Sequence, residues 1–387
     1  MNVAFLPVYA NPYQRLLAEG LGRAGVAVAM LPGLPSAAWL RANRATTDVL
    51  HFHWLYGLYM AQWRTPWQAA AFLRRFRLAR ALGYRIVWTA HNILPHRVAG
   101  LGPLHRAVRR LMMAEADAVI VHCEAGRRAL LARFPRRGPT VVIPIGSYGG
   151  LYPGAADRAT ARARLGLGGA AFVTLTLGNI AAYKGLERFA AVFRATAGGD
   201  DVALIAGRDR DAAVVRRLRR AAAADGRIRL HVGYVPDDTV QLYLAAADVL
   251  VAPFERILTS SSVVVGLSYG LPVVAPDLGC MAEQIGAAGI VYPVGEWHAD
   301  DADAADFRGQ NPFSYRRPSA KSASSAGYSS TSGSLSDAGL AWALAEMRRA
   351  DRAAMSAAAR AIVAGLSWDD IGRRTAAVYR TAVDGAT

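Results

Sequence analysis

Residues 257–276 read Ile-Leu-Thr-Ser-Ser-Ser-Val-Val-Val-Gly-Leu-Ser-Tyr-Gly-Leu-Pro-Val-Val-Ala-Pro. An apolar run led by Asp248 and ending at Phe254 precedes them and reads as a buried strand. Four consecutive hydroxyls, Thr259, Ser260, Ser261 and Ser262, stand at the expected start of a helix over 261–269. Gly270 ends that helix, and a second apolar strand follows from Pro272. Strand, turn, helix and strand in this order are the repeating unit of a parallel α/β sheet. A hydroxyl-rich turn ahead of a helix gathers N–H and O–H donors at the positive end of the helix dipole, which suits a phosphate or diphosphate. Ser and Thr are also ordinary N-caps, and on this segment alone both roles stand.

Working outward, apolar runs alternate with helical patterns twice over. In the first half, strands are expected at Val3–Val8, Val26–Leu31, Val49–Trp54, Arg85–Ala90, Ala118–Val121 and Val141–Ile145, with helical stretches at 13–24, 67–82, 103–116 and 125–133. In the second half, strands are expected at Phe172–Leu177, Val202–Ala206, Ile228–Val232, Val249–Ala252, Val273–Ala275 and Ile290–Tyr292. Helical stretches there lie at 185–196, 211–224, 237–247, 261–269 and 280–286. Near-continuous apolar strands argue parallel sheets covered on both faces. Two such series predict an α/β chain of two Rossmann-like domains facing a cleft, with ligands beyond the carboxyl ends of the strands. Residues 147–166 read as a linker. Residues 299–337, acidic and then serine-rich, read as a mobile insertion. Beyond it, 338–364 is helical and 366–384 forms a last amphipathic helix.

The 387 residues carry a net charge of +16, and 53% are apolar, enough for two cores. The start, Met-Asn-Val-Ala-Phe-Leu-Pro, lacks the pattern of a signal peptide. Uncharged stretches are broken by Gly, Pro or Ser, so no transmembrane helix is expected. Cys123 and Cys280, far apart and in apolar settings, predict unpaired thiols and a reducing cytoplasm. Between Asp48 and Glu115 there are ten arginines and no acidic residue. Arg74, Arg75 and Arg77 interleave with Phe72, Leu73, Phe76 and Leu78, and Arg106, Arg109 and Arg110 precede Leu111, Met112 and Met113. This pattern reads as a surface for anionic lipid headgroups, with Phe72 and Phe76 entering the headgroup layer. The plainer reading is an arginine-biased composition, since the chain has only two lysines, Lys184 and Lys321. No nucleic-acid-binding pattern accompanies the basic residues, so nucleic acid is not expected as a partner.

Lys184 lies in Leu177-Gly-Asn-Ile-Ala-Ala-Tyr-Lys-Gly185, at a strand-to-helix turn, where an ammonium can reach a phosphate as a point charge or simply be solvated. Asp48-Val-Leu-His-Phe-His-Trp-Leu-Tyr56 and Thr89-Ala-His-Asn-Ile-Leu-Pro-His96 each follow a strand, which places His53, His91 and His96 at strand ends. His51 and His53 have a metal-like spacing, but no Cys, Asp or Glu cluster completes a site, and no metal is expected. A neutral histidine at a strand end can bond a sugar hydroxyl or move a proton.

With these segments in view, the chain resembles a GT-B glycosyltransferase, similar to bacterial enzymes of glycosyltransferase family 4 and of the xanthan-assembly β-mannosyltransferase group. The resemblance rests on Asn11-Pro-Tyr13, the two histidine segments, Ile143-Pro-Ile-Gly-Ser-Tyr148 and Gly178-Asn-Ile-Ala-Ala-Tyr-Lys-Gly185. It continues through Leu258-Thr-Ser-Ser-Ser262, Gly270-Leu-Pro-Val-Val-Ala-Pro276 and Ser367-Trp-Asp-Asp-Ile-Gly372 with Tyr379. It implies an acceptor-binding domain over 1–150, a nucleotide-sugar-binding domain over 166–365, and a last helix within 366–387 that packs back on the first domain. It implies donor-diphosphate contacts from Lys184, Thr259, Ser260, Ser261, Ser262 and Asn179, and nucleobase contacts from Gly233, Tyr234 and Val235. Asn11, Tyr13, His53 and Trp54 fall on the acceptor side. His91 falls where family 4 enzymes contact the transferred sugar. His91, His96 and Glu124 are the candidates for catalysis.

Three departures bear on mechanism. Asn179 and Ala181 stand where many relatives carry an arginine, leaving Arg208 or Arg256 as further diphosphate candidates. Ile257 and Val265 stand where family 4 has glutamates, and Ile145 stands where relatives often have histidine. The missing glutamates favour the inverting β-mannosyltransferase-like group, which needs a general base. The expectation is a metal-independent hexosyltransferase, with GDP-mannose as donor and a lipid-linked or glycosylated acceptor, cytoplasmic and peripheral to the inner membrane face. A retaining family 4 enzyme using a UDP-sugar, and a catalytically silent GT-B protein, are the alternatives.

Overall fold

The computed structural model describes residues 1–60, 65–94, 101–154, 156–170, 172–294 and 335–385. The chain divides into two compact units. The first comprises Met1–Tyr148, Leu258–Val264 and Ala361–Thr387; the second comprises Gly149–Ile257 and Val265–Arg360. Each holds one six-stranded, wholly parallel sheet. In the first, β1 (Asn2–Leu6), β2 (Ala27–Met30), β3 (Val49–Phe52), β4 (Arg85–Thr89), β5 (Ala118–Val121) and β6 (Thr140–Val142) take the order β2-β1-β3-β4-β5-β6. In the second, β7 (Phe172–Leu177), β8 (Asp201–Gly207), β9 (Ile228–Val232), β10 (Val249–Val251), β11 (Val273–Pro276) and β12 (Gly289–Tyr292) take the order β12-β11-β10-β7-β8-β9. Every expected strand is present, shifted by at most a few residues at its ends.

The topology picks out where ligands can bind. The strand order reverses between β1 and β3 in the first sheet and between β7 and β10 in the second. A crevice opens at such switch points beyond the carboxyl ends of the strands. His53 and Trp54 follow β3; Gly178 to Lys184 follow β7; Ala252 to Glu255 follow β10. The loops after β7 and β10 lie one upon the other. Gly185 has φ +66°, and a Cβ there would overlap the carbonyl oxygen of Pro253, so only glycine fits.

Three sequence expectations are corrected here. The stretch 147–166 is not all linker, because Arg158–Arg164 is a helix capped by Asp157 and tied through Arg158 and Arg162 to buried Asp248, each at 2.6 Å. The expected insertion 299–337 lies outside the described residues as far as 334, but its last residues open a helix, Leu335–Arg349. That helix is followed by Arg352–Ala364, so 338–364 is two helices with Asp351 capping the second at 3.0 and 3.1 Å. Cys123 and Cys280 are both disulfide-bonded, not free thiols; sequence isolation does not decide a cysteine's bonding state, and the compartment reading loses that support. No helix among the described residues is long and apolar enough to cross a membrane.

The C-terminal helix Trp368–Asp384 packs on the first helix, Pro12–Arg23, within the first unit. The crossing is backbone on backbone. A Cβ on Gly20 would overlap the Trp368 carbonyl, and one on Gly372 would overlap the Gly20 backbone. Arg23 pairs with Asp369 beside it. Gly22, on the same first helix, has open space around it. Gly20→Ala is therefore expected to destabilise the protein by about 1–3 kcal/mol through overpacking. Gly22→Ala is expected to be neutral or to stabilise by up to about 1 kcal/mol through helix propensity. Calorimetric unfolding of the two variants checks this, and equal effects of both would contradict the crossing.

Candidate functional site

In the first unit, three neighbouring strands each end in a histidine. His53 follows β3, His91 stands two residues beyond β4, and His122 follows β5. Because β3, β4 and β5 are adjacent, the rings line up. His53 Nδ1 lies 3.2 Å from His91 Nε2, and His91 Nδ1 lies 3.1 Å from His122 Nε2. His122 Nδ1 lies 2.9 Å from the Ile143 carbonyl oxygen. Within β3, His51 bonds Tyr379 Oη at 2.6 Å and Thr89 Oγ1 at 2.7 Å. Trp54 stacks on His91, with ring centres 4.2 Å apart at 11°. Tyr13 sets its edge against His91 and His122, and Trp368 against Tyr13. His51 and His53 are wholly buried and His122 nearly so, whereas His91 is partly exposed.

Burial decides the charge of these rings. It drives His51, His53 and His91 well below the ordinary histidine value, with neighbouring imidazoles adding to the shift. His122 falls to about 4, burial outweighing its bond to the Ile143 carbonyl. All four are neutral at pH 7. Burial also pushes the Tyr13 and Tyr379 phenols up, so both remain protonated. The result is a neutral row of donors and acceptors able to bond a hydroxyl or pass a proton.

In the second unit, the loop after β7 makes a short 3-10 turn, Ala182–Lys184. Lys184 is 9% exposed, its Nζ 4.7 Å from the Phe254 ring centre, and burial lowers it to about 8. Asn179 is exposed at the end of β7. After β9, Gly233 donates its N–H to the Gly207 carbonyl at 2.8 Å. Tyr234 is 61% exposed, bonds Asp237 at 2.9 Å, and carries the Arg208 guanidinium 4.9 Å above its ring. Arg208 thus stacks on the turn expected to meet the nucleobase. Ser260 is the N-cap of the helix Ser261–Ser268, accepting from Val263 N at 3.3 Å. Leu258–Val264 groups with the first unit.

Of the other expected residues, Asn11 caps the first helix, accepting from Tyr13 N at 2.8 Å, a structural task. Glu124 is exposed and paired with Arg127 at 2.8 Å. His96 lies outside the described residues. Arg109 is corrected as a membrane contact. It is 1% exposed, donating to the Ile93 carbonyl at 3.0 Å and to Tyr59 Oη at 3.2 Å. Phe72 and Phe76 are corrected too: at 2% and 1% exposure they belong to the core. Arg74, Arg77 and Arg110 are exposed, and Arg75 and Arg106 are partly so. Sequence reasoning missed His122, Thr89 and the role of His51. The signal for His122 was a third strand ending in histidine. Among the described residues no group of three or more His, Cys, Asp or Glu side chains is placed to hold a metal ion.

Residues 171–306 match the family described as glycosyl transferases, group 1. A GDP-mannose:glycolipid 4-beta-D-mannosyltransferase of Xanthomonas campestris pv. campestris is 26% identical over 263 residues, covering 65% of this chain and 68% of that protein. Among solved structures, sucrose-phosphate synthase from Thermosynechococcus elongatus superposes with a TM-score of 0.70 at 18% identity, covering 100% of both chains. Anabaena HepE in complex with UDP-glucose gives 0.68 at 15% identity, covering 98% of this chain and 100% of that one. The fold is GT-B, and the chain is a nucleotide-sugar-dependent glycosyltransferase.

The neutral row has a consequence for stability. The unfolded histidines titrate near about 6.5, and the folded ones lie lower. Between these values the unfolded chain binds more protons, so stability rises with pH. The contribution is complete above about pH 6.5 and is lost as pH falls toward about 4, the His122 value. The urea midpoint, followed by tryptophan fluorescence, should drop between pH 7 and pH 5, and less steeply in His122→Gln. A flat midpoint over that window would count against buried neutral rings.

Proposed function

We propose that the protein transfers mannose from GDP-mannose to a hydroxyl of a lipid-linked or otherwise glycosylated acceptor, with inversion and without a bound metal. The observation that carries this reading is the similarity over 263 residues to a GDP-mannose-dependent glycolipid mannosyltransferase. His91 is the acceptor-side base: it is the partly exposed ring of the row and is neutral at pH 7. Lys184 stabilises the leaving diphosphate. Gly233, Tyr234 and Val235, with Arg208 stacked on Tyr234, hold the nucleobase.

Lys184 makes the reading testable by pH. A diphosphate favours the ammonium form, so nucleoside diphosphate affinity is expected to weaken as pH rises through about 8. Loss of a charge-assisted contact in Lys184→Ala should cost about 1.5–3 kcal/mol of that affinity and flatten its pH dependence. Incubation with GDP-mannose, GDP-fucose, UDP-glucose and UDP-galactose plus a glycolipid acceptor, reading released nucleoside diphosphate, identifies the donor. Turnover only with UDP-sugars, or undiminished GDP binding by Lys184→Ala, would sink the proposal.

The acceptor's lipid implies a membrane surface, and the helix Thr65–Ala81 offers a face for it. Trp67, 69% exposed, shares that face with Ala70, Arg74 and Arg77, at successive spacings of three and four. Each basic residue near an anionic bilayer is worth about 1 kcal/mol, within a Debye length. Arg74→Glu with Arg77→Glu is expected to release the protein from vesicles containing phosphatidylglycerol at low salt, while leaving nucleotide binding unchanged. Co-sedimentation checks this, and a parent protein that ignores such vesicles would make this face an ordinary solvated one.

A further inference from the structure

The histidine row has a direction. A backbone carbonyl can only accept, so the 2.9 Å contact to Ile143 requires the proton of His122 on Nδ1. A neutral ring has one N–H, so His122 Nε2 is a lone pair. The 3.1 Å contact to it then requires the proton of His91 on Nδ1. His91 Nε2 is in turn a lone pair, and the 3.2 Å contact to it requires the proton of His53 on Nδ1. The row ends at His53 Nε2, which is buried and has no partner among the described residues. The opposite assignment would set lone pairs against the Ile143 carbonyl and leave an N–H orphaned at His53. An unsatisfied buried acceptor is better tolerated than an unsatisfied N–H. Only one set of neutral tautomers therefore satisfies every contact.

Resting on the reading of His91 as the base, we propose that His122 is its positioning residue, holding the His91 proton on Nδ1 so that Nε2 meets a substrate hydroxyl as an acceptor. The hydroxyl takes the place of the His53 N–H. As its oxygen attacks the anomeric carbon, the O–H bond breaks and the proton bonds to His91 Nε2. The His91 Nδ1 proton passes to His122 Nε2. His122 becomes the cation, its Nδ1–H still on Ile143, while the leaving diphosphate takes the electron pair of the broken C–O bond. The groups facing His91 are His53, His122, Tyr13 and Trp54, none of them negatively charged at pH 7. His122, through the Ile143 carbonyl, is thus the place in the row where a proton is held best.

Ring nitrogen NMR of the 15N-labelled full chain at pH 7.5 tests this directly, with His91→Gln identifying the His91 signals. The parent is expected to show His91 protonated on Nδ1 and bare on Nε2. In His122→Phe, which offers no acceptor, the His91 tautomer should shift toward Nε2–H, and turnover should fall about ten- to a hundred-fold. His122→Gln keeps an acceptor oxygen near the Nε2 position and a donor for Ile143, and should retain the Nδ1–H tautomer while losing turnover, because an amide cannot take the His91 proton. A parent His91 protonated on Nε2 overturns the proposal, as does a folded His122→Phe with unchanged tautomer. If His122→Phe fails to fold, the parent and His122→Gln spectra decide it. If no nucleotide sugar turns over, the transfer reading fails, while the tautomer result still confirms or refutes the role of His122.

Discussion

The first unit depends on a contact between two glycines. Gly20 and Gly372 let the helices Pro12–Arg23 and Trp368–Asp384 touch through their backbones. That approach brings the end of the chain onto its beginning and delivers three side chains to the histidines. Tyr379 reaches His51 in the middle of the sheet. Trp368 donates to the Ser147 carbonyl at 2.6 Å and covers Tyr13. Tyr13 lies edge-on to the row. Adding one methyl group at either glycine would separate the helices and loosen a site several side chains away. Packing interiors transmit such shifts because they are close to crystal density.

The same unit buries polar groups without carboxylates to pair them, and it solves the problem in two ways. The histidines are buried neutral, so no charge has to leave water. Arg109 cannot neutralise. Its cation is spread over the Ile93 carbonyl, Tyr59 and Asn92, with the Trp88 ring 5.7 Å away. His105, on the same helix, has its Nδ1 2.8 Å from Tyr59 Oη and drops to about 4 through burial and the nearby arginine. A region free of acidic residues from 49 to 114 leaves hydrogen bonds and aromatic faces as the means of holding these groups.

How much of this was legible follows from what period and position can carry. Buried parallel strands are nearly all apolar, and their breaks at Gly, Pro and polar clusters are sharp, so Ala118–Val121 and Phe172–Leu177 match their expected bounds. Short helices such as Ala37–Ala42 and Arg158–Arg164 span too few residues to show a period. Arg109 was misread because charge outweighed spacing: His105, Val108, Arg109 and Met112 fall at i, i+3, i+4 and i+7 and form the inward face of their helix. Phe72, Phe76 and Ala79 follow the same rule. Strand ends pointed to His53 and His91. The bond that orients His91 comes from His122 on the next strand, and adjacency of β4 and β5 is a property of the sheet order, which no local pattern encodes.

Burial acts on proton affinity in both units, with opposite uses. A ring in the histidine row is held uncharged, ready to accept, because charging it would place a buried cation among aromatic rings and other imidazoles. Lys184 meets the same penalty against Phe254 and sits at about 8. Its ammonium is only mildly favoured at neutral pH. An anion arriving at Nζ would strengthen that preference, since its attraction in a partly dry site exceeds what water would allow. A lysine so placed discriminates strongly between a charged ligand and an empty or neutral one. A fully solvated lysine would hold its charge regardless and discriminate less. Burial thus leaves the chain with a lysine in one unit and a row of histidines in the other whose proton affinity lies below the ordinary value.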